Sequence, residues 1–390
     1  MRILFIADKV PYPIYNDGGT LMNYHLLKFL NHNHIVHFIS FARDNLPDDF
    51  LKHICNTSIL VNKKIRLTKI HTLLSFIKQN PPFYNNKSTG FTKNINDLIK
   101  NNKYDLIFID SIFMDVYGSE INHPNKIISL HDSLSLLYLT FYKKSNNIFH
   151  KLYYGYCNFI YKKKELQILK TYKKCLFVSS KDINYLKNKS SLSVNNSFVI
   201  PNGVNQQLID KPLKDSKDER RIVFTGVMDY KPNIDAVLFF VDKIFPLILI
   251  KNPKVIFSIV GKNPTKEIQE LKSSNIKVTG FVEDISEYIL NSTVYVSPLV
   301  SGAGLKNKIL EAMALRTPIV ATSISLDGIA IEDNIHVLRK DNPKEFADSV
   351  CLLLNNEKLR NKLVSKSYEL VLNKYSWEYI YSLYDKILFS

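Results

Sequence analysis

The feature that most constrains this chain is a series of short apolar runs, each followed by a longer amphipathic stretch. Ile3–Ala7, Ile35–Phe41, Asp105–Ile109, Lys126–Leu130 and Cys175–Val178 are rich in Ile, Val, Leu and Phe and are bounded by polar or turn residues. Continuous apolar runs of this length are what strands buried on both faces require. Leu21–Leu30 and Phe149–Tyr172 lie between them with helix-like patterns. Strand and helix in alternation predict a doubly wound α/β sheet. The rhythm pauses at Pro201-Asn202-Gly203 and across Asp210–Arg221, a charged segment nearly without apolar residues that reads as a linker. It resumes with Ile222–Thr225, Val255–Val260, Lys277–Gly280, Val294–Ser297 and Pro318–Ala321. A chain of 390 residues has room for two domains of ordinary size. The expected division is 1–200 and 201–375.

The net charge of +16 is unevenly placed. Residues 1–200 hold 27 Lys and Arg against 13 Asp and Glu, a net of +14; residues 201–390 hold 25 against 23, a net of +2. A drift of composition toward Lys would not spare one half, so the basic half predicts an anionic partner. Within it, Leu152–Lys174 interleaves Tyr153, Tyr154, Tyr156, Tyr161 and Tyr172 with Lys162, Lys163, Lys164, Lys170, Lys173 and Lys174. That mixture suits a membrane interface and equally a solvated amphipathic helix. No helix-turn-helix, zinc or RNP-like pattern accompanies the charge, so nucleic acid is not the expected partner.

Cys55, Cys157, Cys175 and Cys351 have no metal-pair spacing and read as reduced thiols in a reducing compartment. The apolar start Met1–Ala7 meets Asp8 and Lys9 too soon for a secretion signal. No apolar stretch reaches the roughly 18 residues of a spanning helix. The expectation is a cytoplasmic protein whose membrane contact is peripheral, at the inner face of the plasma membrane.

The segment Ser297–Ala314 carries the strongest chemical signal. A strand ends at Ser297, a small-residue loop with Gly302 and Gly304 follows, and a helix begins near Leu305. Exposed N–H groups at a helix start form an anion site, and glycines let phosphate oxygens approach. Lys306 and Lys308 add charge at that entrance, and Glu311, one turn on, can accept hydrogen bonds from ribose hydroxyls. The bland alternative is a glycine-rich turn with a solvated Glu.

With the strand Pro318–Thr322 behind it, this segment resembles the donor-site signature of the GT-B glycosyltransferases of family 4, especially the branch that makes bacterial exopolysaccharide, capsule and lipopolysaccharide. Further resemblance runs in order along the chain: Met1–Ala7 with Gly18-Gly19, Val178–Asp182, Ile200–Val204, Phe224–Asn233, Val260-Gly261-Lys262 and Thr279–Val282. The resemblance implies two Rossmann-like domains facing across a cleft, the first on the acceptor side and the second binding the nucleotide sugar. It implies a C-terminal helix, 376–390, crossing back to the first domain. It also implies transfer with retention from a nucleotide-sugar donor to a saccharide or lipid-linked saccharide, with no cofactor and no metal. The residues it brings to the donor are Gly18, Gly19, Gly226, Lys231, Asn233, Gly302, Gly304, Leu305, Lys306 and Glu311. His131, just past a strand in Ile127–Asp132, is the expected catalytic residue beside the reacting sugar, with Asp132 orienting it or touching the acceptor.

Two departures stand out. The family's first glutamate, separated from the second by seven residues, is here Ala303, and its arginine beyond the Gly226 turn is replaced by Met228 with Lys231 nearby. Other readings of the same chain are a non-catalytic GT-B nucleotide-sugar binder or scaffold, and a sugar epimerase. Donor turnover separates the first from an enzyme, and turnover without acceptor marks the second.

Overall fold

The computed structural model describes residues 1–14, 18–62, 80–81, 87–188, 195–212, 218–302 and 304–389. The chain divides into two units, Met1–Asn202 with Tyr381–Ser390, and Gly203–Ile380.

In the first unit the strands are β1 (Arg2–Ile6), β2 (Ile35–Phe41), β3 (Thr57–Val61), β4 (Leu106–Asp110), β5 (Lys126–His131), β6 (Lys174–Phe177) and β7 (Ser197–Val199). Among the described residues they make one parallel sheet in the order β3-β2-β1-β4-β5-β6-β7. The second unit holds β8 (Asp218–Thr225), β9 (Ile256–Val260), β10 (Ile276–Val278), β11 (Ser292–Ser297), β12 (Ile319–Ala321) and β13 (Leu338–Arg339). Their order is β10-β9-β8-β11-β12-β13, again parallel. Counted from its own first strand, each sheet runs 3-2-1-4-5-6, the first adding β7 at its far edge, and the order reverses beside the first strand. That reversal is where open α/β sheets bind ligands, at the carboxyl ends of the strands.

The apolar runs form strands because helices cover both their faces. Ile3, Leu4, Phe5 and Ile6 are wholly buried, as are Leu106, Phe108, Val294, Tyr295 and Val296. Three strands, β3, β7 and β13, lack such a run and are not apparent in the sequence. The expected linker is shorter than read: residues 218–221 already belong to β8, and 213–217 lie outside the described residues. The single tryptophan is spoken for by packing. A Cβ on Gly203 would stand 2.6 Å from the Trp377 ring, so only glycine admits this contact. Helix Trp377–Phe389 starts in the second unit and from Tyr381 counts with the first, where Tyr381 stacks on Phe29 with ring centroids 5.1 Å apart.

The first unit also buries charge. Asp115, 1% exposed, accepts a hydrogen bond from the Tyr172 hydroxyl at 2.7 Å and pairs with Lys164 Nζ at 2.8 Å. Lys164 is therefore a core residue and not part of a solvated or lipid-facing stripe. Removing one partner of a buried pair strands the other charge at a cost of about 3–5 kcal/mol. Asp115→Ala is accordingly expected to lower unfolding free energy by that amount in urea titration. A loss under about 1 kcal/mol, the range of surface pairs, would show that the pair contributes nothing to the unit.

Candidate functional site

In the second unit the residues around the reversal point converge. β8 ends at Thr225 and the chain turns at Gly226, whose N–H donates to Val260 O. This turn is tight on two sides. A Cβ on Gly226 would lie 2.6 Å from Asn233 Nδ2, and one on Gly261 would lie 1.7 Å from Gly226 O. Gly261 also has φ +150 and would meet backbone, so that position requires glycine, while a side chain at Gly226 would have to displace Asn233. Asn233, buried on helix Lys231–Phe239, donates to Val227 O at 3.0 Å. The loop after β11 is pinned at its start by Ser325, which accepts from Leu299 N and donates to Ser297 O. It then passes through Gly302 (φ +127) and Gly304 (φ +72) to helix Asn307–Ala314. The helix starts two residues after Leu305, and Lys306 stands at its N-cap with its ammonium donating to Gly304 O.

Lys308 joins these pieces. Its Nζ donates to Thr225 O at 2.9 Å and to Asn233 Oδ1 at 2.7 Å, and lies 4.3 Å from the Phe224 ring centroid. Burial, with Lys306 adding repulsion and Glu311 opposing, brings its pKa down to about 7. Burial also raises the Glu311 carboxyl, against the pull of Lys308. Beneath them the Thr225 and Tyr295 hydroxyls are hydrogen-bonded at 2.8 Å. The second unit thus places a cation of weakened charge, a carboxylate and glycine backbone at one end of β8 and β11.

The sequence expectations land unevenly. Gly226, Asn233, Gly302, Gly304, Lys306 and Glu311 fall in this cluster, and Leu305 is half-buried beside it. Lys231 does not join it: its exposed ammonium pairs with Asp235 on its own helix. Met228 is wholly buried in the core. Ala303 lies outside the described residues. Gly18 and Gly19 are not a loop; they open helix Gly18–Asn33.

In the first unit His131 closes β5, next to β4 at the corresponding reversal. Its φ of +56 is the left-handed region, and the register with β6 slips between Ser129 and His131. Strained residues of this kind persist only when surroundings hold them. Here Asp110, the last residue of β4, does so: its Oδ1 lies 2.7 Å from His131 Nε2, while its Oδ2 accepts from Asn23 Nδ2 at 2.7 Å. Burial alone would lower the His131 pKa; the charge and hydrogen bond of Asp110, with Asp132 adding, outweigh it and raise the value. The turn beyond is fixed as well. Ser133 N donates to Asp182 at 2.9 Å, Ser133 Oγ to Glu165 at 3.0 Å, and Ser135 Oγ also to Glu165. Burial lifts Glu165 to about 7 and Asp182 to about 6. Asp110, Asn23, Glu165 and Asp182 escaped the sequence reading. Asp110 had one usable signal: a carboxylate at the end of an apolar run, as His131 is an imidazole there.

Residues 219–356 match the profile of a family described as glycosyl transferases group 1. The chain is 21% identical to an uncharacterized 44.6 kDa protein in the cps region of Klebsiella pneumoniae, over 98% of each chain. It is 26% identical to the capsular polysaccharide biosynthesis glycosyltransferase CapM of Staphylococcus aureus, over 37% of this chain and 41% of that one. Among solved structures, Anabaena Alr3699/HepE, in complex with UDP and glucose, superposes with a TM-score of 0.68 at 14% identity over all of both chains. The architecture is GT-B.

The two ionisable groups at these strand ends give direct readouts. Asp110→Asn removes the charge that raises His131, so the imidazole should titrate at lower pH than in the unmutated protein, measured by NMR. An unshifted His131 would mean the pair is not formed. Lys308, its pKa brought down to about 7 by burial, should gain a proton if a nucleoside diphosphate binds beside it. At pH 8 calorimetry in buffers of different ionisation enthalpy should show net proton uptake, absent in Lys308→Met. Equal uptake in both would remove Lys308 from the site.

Proposed function

We propose that this chain, a glycosyltransferase of GT-B architecture with a group 1 domain in its second unit, moves a hexose-like sugar from a nucleoside diphosphate donor to a saccharide in cell-surface polysaccharide synthesis. The observation that carries the reading is the Lys308 arrangement at the ends of β8 and β11, inside the stretch that matches the family profile. The capsular relative and the UDP- and glucose-bound neighbour support the same chemistry.

In this reading the backbone at Gly226, Gly302 and Gly304 and the start of helix Asn307–Ala314 meet the diphosphate, as helix N-termini do. Lys306 and Lys308 supply charge, and Glu311 holds the ribose. Leaving-group charge is met by ammonium groups, amides and the helix dipole, with no metal and with retention at the anomeric carbon. His131, oriented by Asp110, hydrogen-bonds a hydroxyl of the donor sugar as positive charge develops at the anomeric carbon, with Asp132 beside it. The acceptor is a saccharide or a lipid-linked saccharide, and the basic first half favours an anionic membrane nearby. Among the described residues no helix is long and apolar enough to cross one.

The primary test is a thermal-shift panel of nucleoside diphosphates and nucleotide sugars, since ligand at 100 times its dissociation constant stabilises by about 2.7 kcal/mol. A cognate hit is followed by a transfer assay. A chain that binds donor but neither transfers nor hydrolyses it is a binding protein, the outcome that Ala303 in the family's glutamate position would favour.

Two substitutions divide the labour. A charge-assisted hydrogen bond is worth about 1.5–3 kcal/mol, so Glu311→Ala should weaken diphosphate binding roughly tenfold or more in calorimetry. Unchanged affinity would remove Glu311 from the ribose. His131→Ala should cut turnover by at least about thirtyfold while diphosphate affinity holds, the signature of an interaction made in the transition state. Normal turnover in that variant would leave His131 a strained residue at the end of β5 with no part in the chemistry.

A further inference from the structure

Helices Leu134–Lys144 and Ile148–Thr171 form a hairpin in the first unit, turning through residues 145–147. Rings zip its inside. Tyr138 stacks on Tyr161 with centroids 5.3 Å apart, and Phe141 lies 5.5 Å from Tyr154. Gly155 makes room for Tyr142, whose ring would be 3.4 Å from a Cβ there. Asn147 caps the second helix by accepting from Phe149 N and His150 N.

This packing explains the inward aromatics and not the outward ones. Ile148, Phe149 and Leu152 at the tip are 62%, 76% and 66% exposed, Tyr142 and Tyr153 are exposed with them, and Phe159 is exposed about three turns further along the helix. Single exposed apolar residues are ordinary on a soluble protein, whereas a cluster at one tip marks an interaction surface. Its charge tells what it meets. Lys143 and Lys144 are exposed at the same tip, and Lys151 lies over the Tyr142 ring at 6.0 Å. From Ser133 to Lys164 the sequence holds six lysines and no Asp or Glu. Two such tips repel one another, which disfavours a second copy of this chain. Aliphatic and aromatic side chains between lysines fit a bilayer interface, where rings enter the headgroup layer and ammonium groups meet lipid phosphates.

We infer that this hairpin tip docks the protein on an anionic membrane. The inference rests on the membrane part of the proposed function and narrows it to one element. Its test transfers no sugar, so its failure leaves the donor site untouched.

The experiment is flotation of the full chain with phosphatidylcholine vesicles, with and without phosphatidylglycerol. Binding is expected only to the anionic vesicles and should fall as salt rises, because screening acts over about 8 Å at physiological ionic strength. Each lysine near such a surface strengthens binding about fivefold, so Lys143→Ala/Lys144→Ala/Lys151→Ala together should weaken it about a hundredfold. Phe149→Glu/Leu152→Glu should abolish flotation even at low salt. The lysine variant leaves Ile148, Phe149 and Leu152 in place, so it decides the question should the acidic variant fold poorly. Wild type that ignores anionic vesicles, or a lysine variant that floats as wild type does, overturns the proposal. So does a wild-type dimer in light scattering that Phe149→Glu/Leu152→Glu converts to monomer with no vesicle binding.

Discussion

Parallel strands buried on both faces leave no place for polar chemistry except where they end. The constraint acts on both sheets. Phe5 and Phe108 stack at 4.7 Å inside the first sheet, and Val294, Tyr295 and Val296 are wholly buried in the second. The polar groups of the two candidate sites stand at carboxyl ends: Asp110 ends β4, His131 ends β5, and Thr225 ends β8 with Lys308 upon its carbonyl. The strand order makes two of these ends diverge beside β1 and β8, which opens room for a ligand.

The two units hold their charges by different means. At His131 a full carboxylate faces the imidazole and is itself held by Asn23, so protonation is favoured and the strained φ is fixed. At Lys308 the partners are a carbonyl, an amide oxygen and a ring face, all neutral, with Glu311 as the opposing charge. Neutral partners orient an ammonium without satisfying it. A preorganised cation of this kind is worth most to a ligand that brings negative charge into a partly desolvated place.

How much of this could be read from sequence follows from the same physics. The long central strands were legible because burial on both faces writes itself as an unbroken Ile, Val, Leu and Phe run. Edge strands β3, β7 and β13 are half-exposed or very short and leave no such record. Gly302, Gly304 and Glu311 were legible because loop, helix start and charge are contiguous. Asp110 and Asn23 were not, since the pair they form with His131 joins positions 21 and 87 residues or more apart. Lys164 misled for the opposite reason: it sits among Lys162 and Lys163 in sequence, but the helical repeat turns it inward onto Asp115.

One helix shows how closely these assignments are tied. Ile148–Thr171 exposes Phe149 and Leu152 near its start, and three to four turns later buries Lys164 against Asp115 and Glu165 against Ser133 and Ser135. Ser133 and Ser135 directly follow His131-Asp132. The element with the exposed basic and aromatic tip is thus the same rigid body that fixes the turn after His131. Glu165 is wholly enclosed, and its three hydrogen bonds are all to that turn. A buried polar network is costly when half satisfied. The turn and the helix therefore hold each other in one arrangement, and His131 inherits its position from the hairpin's base.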